Sequence, residues 1–136
     1  MSMIPSVLVT GASSGIGAAY AERFARRGHD IVLVARDKTR LEALASRLRD
    51  DCGVTVEVAQ ADLTQSADLA VLETRLRDDA RIGILINNAG MAQSGRFAQQ
   101  TAESIDGLIS LNVTALTRLA AAVAPRFVQS GAGAIV

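Results

Sequence analysis

The sequence predicts an α/β fold, a doubly wound parallel sheet with strand order 3-2-1-4-5. Three observations carry that prediction. Short apolar, often β-branched runs alternate with segments of helical periodicity from one end of the chain to the other. Every link between successive strands is long enough for a right-handed crossover. A glycine-rich turn, Thr10-Gly11-Ala12-Ser13-Ser14-Gly15-Ile16-Gly17, joins the first strand to the first helix.

Val7-Leu8-Val9 is continuously apolar, as a strand buried on both faces must be. The first helix is expected from about Gly15 to Arg27, with Ile16, Ala19, Tyr20 and Phe24 at helical spacing and Gly28 as its C′ residue. Ile31 to Val34 is a second buried strand. Asp37 is placed to cap a second helix, whose inward stripe is Leu41, Leu44, Ala45 and Leu48 and whose end precedes Gly53. Val54 to Val58 alternates as an edge strand does. Asp62-Leu63-Thr64 leads into a third helix with Leu69, Leu72 and Leu76 on one side. Ile82 to Ile86 forms the fourth strand and opens into Asn87-Asn88-Ala89-Gly90. A loop from Met91 to Gln100 precedes a long helical region, about Thr101 to Gln129, and Ala134-Ile135-Val136 begins a fifth strand.

A chain of 136 residues, 49% of them hydrophobic, suits one domain with its own core, residues 1–136. Its formal net charge is zero and its arginines are scattered, which gives no case for nucleic acid or an anionic membrane surface. No apolar run approaches the roughly 20 residues that span a bilayer. Met1 to Ser6 lacks a basic segment followed by an apolar secretory run, so a cytoplasmic protein is expected. Cys52 and His29 are single, which excludes a disulfide framework and a Cys/His metal site.

The glycine-rich corner has a chemical use. The first turn of a helix leaves N–H groups unpaired, and the helix dipole makes them electropositive, so a pyrophosphate docks there. The spacing is Gly-x-x-x-Gly-x-Gly, neither the G-x-G-x-x-G fingerprint nor a Walker loop. Taken alone it is equally a turn without a ligand. Arg36-Asp37, Asp62-Leu63 and Asn87–Gly90 also follow predicted strands, however, and ligands bind open α/β sheets beyond the carboxyl ends of the strands.

Those four segments, together with Asn112 in Ser-Leu-Asn-Val, stand in an order and spacing that resembles the short-chain dehydrogenase/reductase family across the whole chain. The resemblance implies a Rossmann-type sheet and a nicotinamide dinucleotide. Gly11, Gly15 and Gly17 would then shape the pyrophosphate loop, with Ser13, Ser14 and Ile16 in contact with the cofactor; Ser13 and Ser14 are equally placed to cap the helix. Asp62 would accept from the adenine amino group beside the Leu63 amide, its alternative being the cap of the third helix. Asn88, Ala89 and Gly90 would line the riboses, while Asn87 ties neighbouring strands. Asn112 would support a catalytic lysine through the helix backbone; Ala115 stands where the family often has Gly.

Cofactor preference turns on Arg36 and Asp37. An acid after the second strand binds free ribose hydroxyls, whereas Arg accepts a 2′-phosphate, so NADP(H) is favoured over NAD(H). The alternative has Arg36 solvated and Asp37 capping the helix or holding the ribose.

The implied reaction is hydride transfer between the nicotinamide and an alcohol or carbonyl carbon of a small molecule, through a Tyr-x-x-x-Lys pair and a Ser. Tyr20 and Lys38, the single residues of their types, fall on the first and second helices and form no such pair. The expectation is therefore the front portion of a longer enzyme, ending inside the fifth strand, inactive alone and a homodimer or homotetramer at full length. The rival is a non-catalytic dinucleotide-binding or regulatory module.

Overall fold

The computed structural model describes residues 3–136. Strand β1 (Ser6–Thr10) lies at the centre of the sheet, hydrogen-bonded in parallel to β2 (Ile31–Ala35) on one side and β4 (Ile82–Ile86) on the other. β3 (Val56–Gln60) extends the β2 side and β5 (Ala134–Ile135) the β4 side, giving the order β3-β2-β1-β4-β5. This is the Rossmann-type topology that the sequence predicts. Val7 of β1 stands opposite Ile31 and Ile84, with a break in the β1/β4 register that leaves Gly83 unmatched. A Cβ at Gly83 would lie 2.6 Å from that of Pro5, so only glycine lets the chain pass there.

Alternation along the strands divides the core. Leu8, Val32, Val34 and Leu85 face a layer made by α3 (Ser66–Asp78) and α5 (Leu116–Ser130). Val7, Val9, Leu33 and Ile86 face the opposite layer, made by α1 (Gly15–Arg26) and α2 (Lys38–Cys52). Covering both faces removes most of β1, β2 and β4 from water, the arrangement a parallel sheet requires, while β5 stays exposed at its edge.

Most predicted stripes stand where the pattern put them. Leu41, Leu44, Ala45 and Leu48 are buried on α2, and Leu69, Leu72 and Leu76 on α3. Asp37 caps α2 by accepting from the Arg40 amide at 3.0 Å, and Gly53 closes it at φ +67°. β3 starts two residues later than its alternation suggests, which keeps the same side chains facing the same way.

Three expectations need correction. On α1 the buried residues are Gly17, Ala21 and Ala25, while Ile16 and Ala19 are exposed and Tyr20 and Phe24 flank the seam. Small residues let α1 approach the sheet closely, so the seam follows backbone proximity rather than side-chain size. The long helical region is not uniform: α4 (Ala102–Ile109) passes through a π-helical turn at Ser110–Ala115 into α5. That continuous stretch, Ala102–Ser130, reaches a mean hydropathy of 1.5 over 18 residues, enough by length and composition to cross a membrane. Polar residues scattered along it hid this from a search for apolar runs. Leu119, Ala122, Val123 and Phe127 of α5 are buried in the core, and the Arg126 guanidinium donates to the Leu76 and Ile82 carbonyls.

Candidate functional site

At the carboxyl edge of the sheet the loops after β1, β2, β3 and β4 surround a cavity of about 770 Å³. The glycine corner forms one wall. Gly11 and Gly15 have φ of +65° and +57°, conformations that favour glycine. Ser14 occupies the N-cap position of α1, yet its side chain makes no cap hydrogen bond. The first-turn amides of α1 therefore border the cavity without a side-chain acceptor of their own. Gly15 has open space where a Cβ would stand, whereas a Cβ on Gly17 would lie 2.2 Å from the Gly11 carbonyl oxygen.

Thr10 fixes this corner to the loop after β4. Its buried hydroxyl donates toward the Ile86 carbonyl at 3.4 Å and accepts from the Asn88 and Ala89 amides at 3.0 and 2.9 Å. The Asn88 side chain donates to the Gly11 carbonyl at 3.2 Å. Asn87 turns the other way, its backbone N–H donating to the Val136 carbonyl and its side chain to that of Leu116, so the side chain ties β4 to the start of α5 rather than to a neighbouring strand.

Asp62 does not cap α3; Gln65 holds that position. Its Oδ1 accepts from the Thr64 amide at 3.0 Å and the Thr64 hydroxyl at 2.6 Å. These bonds, with the charge of Arg36 beyond them, hold the Asp62 carboxyl below the usual range and keep it an ionised acceptor. The Leu63 side chain is buried in the core while the residue still lines the cavity. Arg36 is exposed at the rim, its carbonyl accepting from Gln60 Nε2 at 3.1 Å.

Of the predicted residues, Gly11, Ser13, Ser14, Gly15, Ile16, Arg36, Asp62, Leu63, Asn88, Ala89 and Gly90 line this cavity together. Gly17 and Asn112 do not. Gly17 stands behind the wall as a spacer, and Asn112 grips the backbone of Met91, accepting from its N–H at 2.8 Å and donating to its carbonyl at 2.6 Å. Thr10, Arg40 and Thr64 escaped the sequence reading. Arg40 had a signal, its place three residues after a helix-capping Asp; Thr10 and Thr64 act through hydroxyls whose partners lie in other segments or turns.

The family profile described as short chain dehydrogenase matches residues 5–136. The chain belongs to the short-chain dehydrogenase family. A short-chain dehydrogenase from Sphingobium yanoikuyae, solved in complex with NADPH, is 80% identical over 97% of this chain and 52% of its own, with a TM-score of 0.96. A bulky-bulky ketone specific alcohol dehydrogenase from Comamonas testosteroni is 69% identical over 97% of this chain and 53% of its own, also at 0.96. Among curated relatives, human inactive hydroxysteroid dehydrogenase-like protein 1 is 31% identical over 95% of this chain and 40% of its own. The chain thus spans about half the length of the solved short-chain dehydrogenases it matches.

The cavity fits a dinucleotide on this chain's own features. Its volume lies within the range of small-molecule sites, its glycine wall leaves space at Gly15, and an ionised acceptor stands across from it at Asp62. Tyr20 and Lys38 line no part of it.

Proposed function

We propose that this chain is the NADP(H)-binding portion of an oxidoreductase that moves hydride between nicotinamide and an alcohol or carbonyl carbon of a small molecule. The observation that carries the reading is the convergence of the glycine wall, Asp62 and Arg36 on one cavity at the carboxyl edge. The first-turn amides of α1 bind the pyrophosphate, Asp62 accepts from the adenine, and the Asn88–Gly90 segment, held by Thr10, lines the riboses. Bound nicotinamide supplies or accepts the hydride. The balancing proton needs an acid/base group, which the family resemblance puts on a Tyr and Lys beyond residue 136; the chain alone is inactive on this reading.

NADP(H) is preferred because Arg36 is exposed at the rim and, among the described residues, is engaged in no ion pair, whereas Asp37 is occupied as a helix cap. The NADPH complex of the Sphingobium relative supports the same choice. The full-length enzyme is read as a cytoplasmic homodimer or homotetramer, with the exposed apolar residues Ile109 and Val113 available to a second copy.

Titration with NADPH and NADH tests the cofactor reading. Arg36→Ala is expected to weaken NADPH by about tenfold or more and to spare NADH; equal losses would reject it. A non-catalytic dinucleotide-binding module is the second reading, favoured by the placement of Tyr20 and Lys38 away from the cavity and by a relative named inactive. Ketone-dependent NADPH oxidation by the product of the complete reading frame separates the two.

A further inference from the structure

A second hollow, of about 500 Å³, opens between α3 and α5 and shares no residue with the cavity at the carboxyl edge. α3 lends it Glu73 and Arg77; α5 lends it Arg118, Ala121, Pro125 and Arg126. Three guanidiniums against one carboxylate leave it positively charged. Arg126 is the fixed member, its Nε and Nη2 donating to the Leu76 carbonyl at 3.2 and 2.9 Å and Nη2 also to Ile82 at 2.8 Å. Arg77 is held only by the Thr74 hydroxyl, at 3.3 Å. Arg118 Nη2 stands 2.6 Å from Glu73 Oε1, an ion pair out of line with its N–H, so this buried oxygen accepts no hydrogen bond. The Glu73 side chain is only 12% exposed, and a carboxylate so covered is ordinarily met by directed donors. α5 adds another acceptor in want of a donor. Pro125 lies inside that helix and has no N–H for the Ala121 carbonyl four residues earlier. The hollow therefore sets spare guanidinium donors beside acceptors that lack donors.

We propose that this hollow binds a small hydroxylated oxyanion, the chemistry shared by polyol phosphates and hydroxy acids. Arg77 and Arg118 grip the oxyanion, for which guanidinium forks are matched in shape and charge, and Arg126 adds a fixed charge behind them. A neighbouring hydroxyl of the ligand donates to Glu73. A bare oxyanion would satisfy the guanidiniums alone, and an apolar molecule neither set. The exposed apolar Leu116 falls on the opposite flank of α5 from Arg118 and Pro125, so association through that flank leaves the hollow open. Nothing in the proposal depends on which nicotinamide cofactor fills the other cavity.

Nitrogen-15 NMR titration of the full chain, read at backbone amides and arginine Nε–H groups, separates the two cavities residue by residue. Glycerol 3-phosphate and glycerate are the probes, and methyl phosphate is the oxyanion without a hydroxyl. Saturable shifts are expected at Arg77, Arg118 and the amides beside them, whatever occurs at Gly15 and Gly17. The stronger response of glycerol 3-phosphate or of glycerate assigns the oxyanion as phosphate or carboxylate. Glycerol 3-phosphate should bind about fivefold or more tightly than methyl phosphate. Arg118→Ala and, separately, Arg77→Ala should each weaken it by about tenfold, in proteins whose thermal melts show them folded. Glu73→Met removes the hydroxyl's acceptor and frees Arg118. Methyl phosphate should then bind at least as tightly as to wild type, while the preference for glycerol 3-phosphate disappears. A merely structural Glu73 would not give that pattern. Absence of saturation up to about 10 mM, shifts of equal size at Arg23, Arg27 and Arg40, or a preference that survives Glu73→Met would overturn the proposal.

Discussion

The side-chain amide of Asn112 holds both backbone polar atoms of Met91, accepting from the N–H at 2.8 Å and donating to the carbonyl at 2.6 Å. One side chain thereby joins the π-helical turn between α4 and α5 to the loop that leaves β4. Gly90 is drawn close enough that a Cβ there would stand 3.2 Å from Asn112 Oδ1. The clamp sets where the cavity wall ends.

Asn112→Ala removes both bonds. Because Met91 is 39% exposed, water replaces part of what is lost, and the expected cost is about 1–2 kcal/mol in urea denaturation. Amide exchange at Met91 should quicken while that of the β1 core does not. Asn112→Asp keeps the acceptor but turns a carboxylate toward the Met91 carbonyl, so it should be less stable at pH 7 than at pH 4. Unchanged exchange at Met91 in both variants would show that the clamp does not order the loop.

Thr10 offers a cleaner subtraction. Thr10→Val preserves shape and strand preference at a residue only 1% exposed, yet deprives the Asn88 and Ala89 amides of their acceptor. Two partly buried donors left unpaired should cost about 2–4 kcal/mol. Thr10→Ser keeps the hydroxyl and should lie within about 1 kcal/mol of wild type. Equal destabilisation by Ser and Val would assign the effect to the methyl group instead.

These residues also show what the sequence reveals and what it conceals. The strands, their order and the stripes of α2 and α3 are written in local periodicity, which depends only on neighbours along the chain. The glycine corner and Asn88–Gly90 are legible because they follow strands. The seam of α1 is not: it depends on how closely Gly17 meets the Gly11 carbonyl and the Asn88 side chain, the latter a contact with a distant segment. The Asn112–Met91 clamp is hidden for the same reason, since its partners lie 21 residues apart. Thr10 sits in view at the head of the glycine turn, but its hydroxyl acts on amides more than 70 residues away.

A charge network at the end of α3 makes stability depend on acid. Asp79 accepts from Arg81 Nε at 3.0 Å and from Arg75 Nε at 2.8 Å, and Arg75 reaches on to Glu57. The Arg81 hydrogen bond first, and that of Arg75 second, hold the Asp79 carboxyl far below its ordinary range. A depressed folded pKa gives stability that is fully present above the unfolded value, about 3.9, and is lost as pH falls below it. Asp79→Asn should cost about 1–2 kcal/mol at pH 7, the exposure of Arg81 limiting the sum. Urea midpoints at pH 7, 5, 3 and 2 should show the gap between variant and wild type closing below about pH 4. A gap constant across that range would remove the network from the account.

Gly15 and Gly17 separate binding from stability within one turn. At Gly17 a Cβ would come within 2.2 Å of the Gly11 oxygen and 2.5 Å of Asn88 Nδ2, so α1 must retreat from β1 and the wall must open. Gly17→Ala should cost about 2–4 kcal/mol and abolish NADPH binding together. At Gly15 nothing lies within 4 Å of the added atom, and the penalty is the φ of +57°, about 1 kcal/mol. On the proposed cofactor reading the new methyl of Gly15→Ala would occupy the space of a phosphate, so NADPH should weaken by about tenfold or more in a protein that melts only slightly early. Thermal melts paired with NADPH fluorescence titrations read both quantities on the same samples. If Gly15→Ala lost stability and affinity in the proportion that Gly17→Ala does, the cavity beside Gly15 would not be where the phosphates bind.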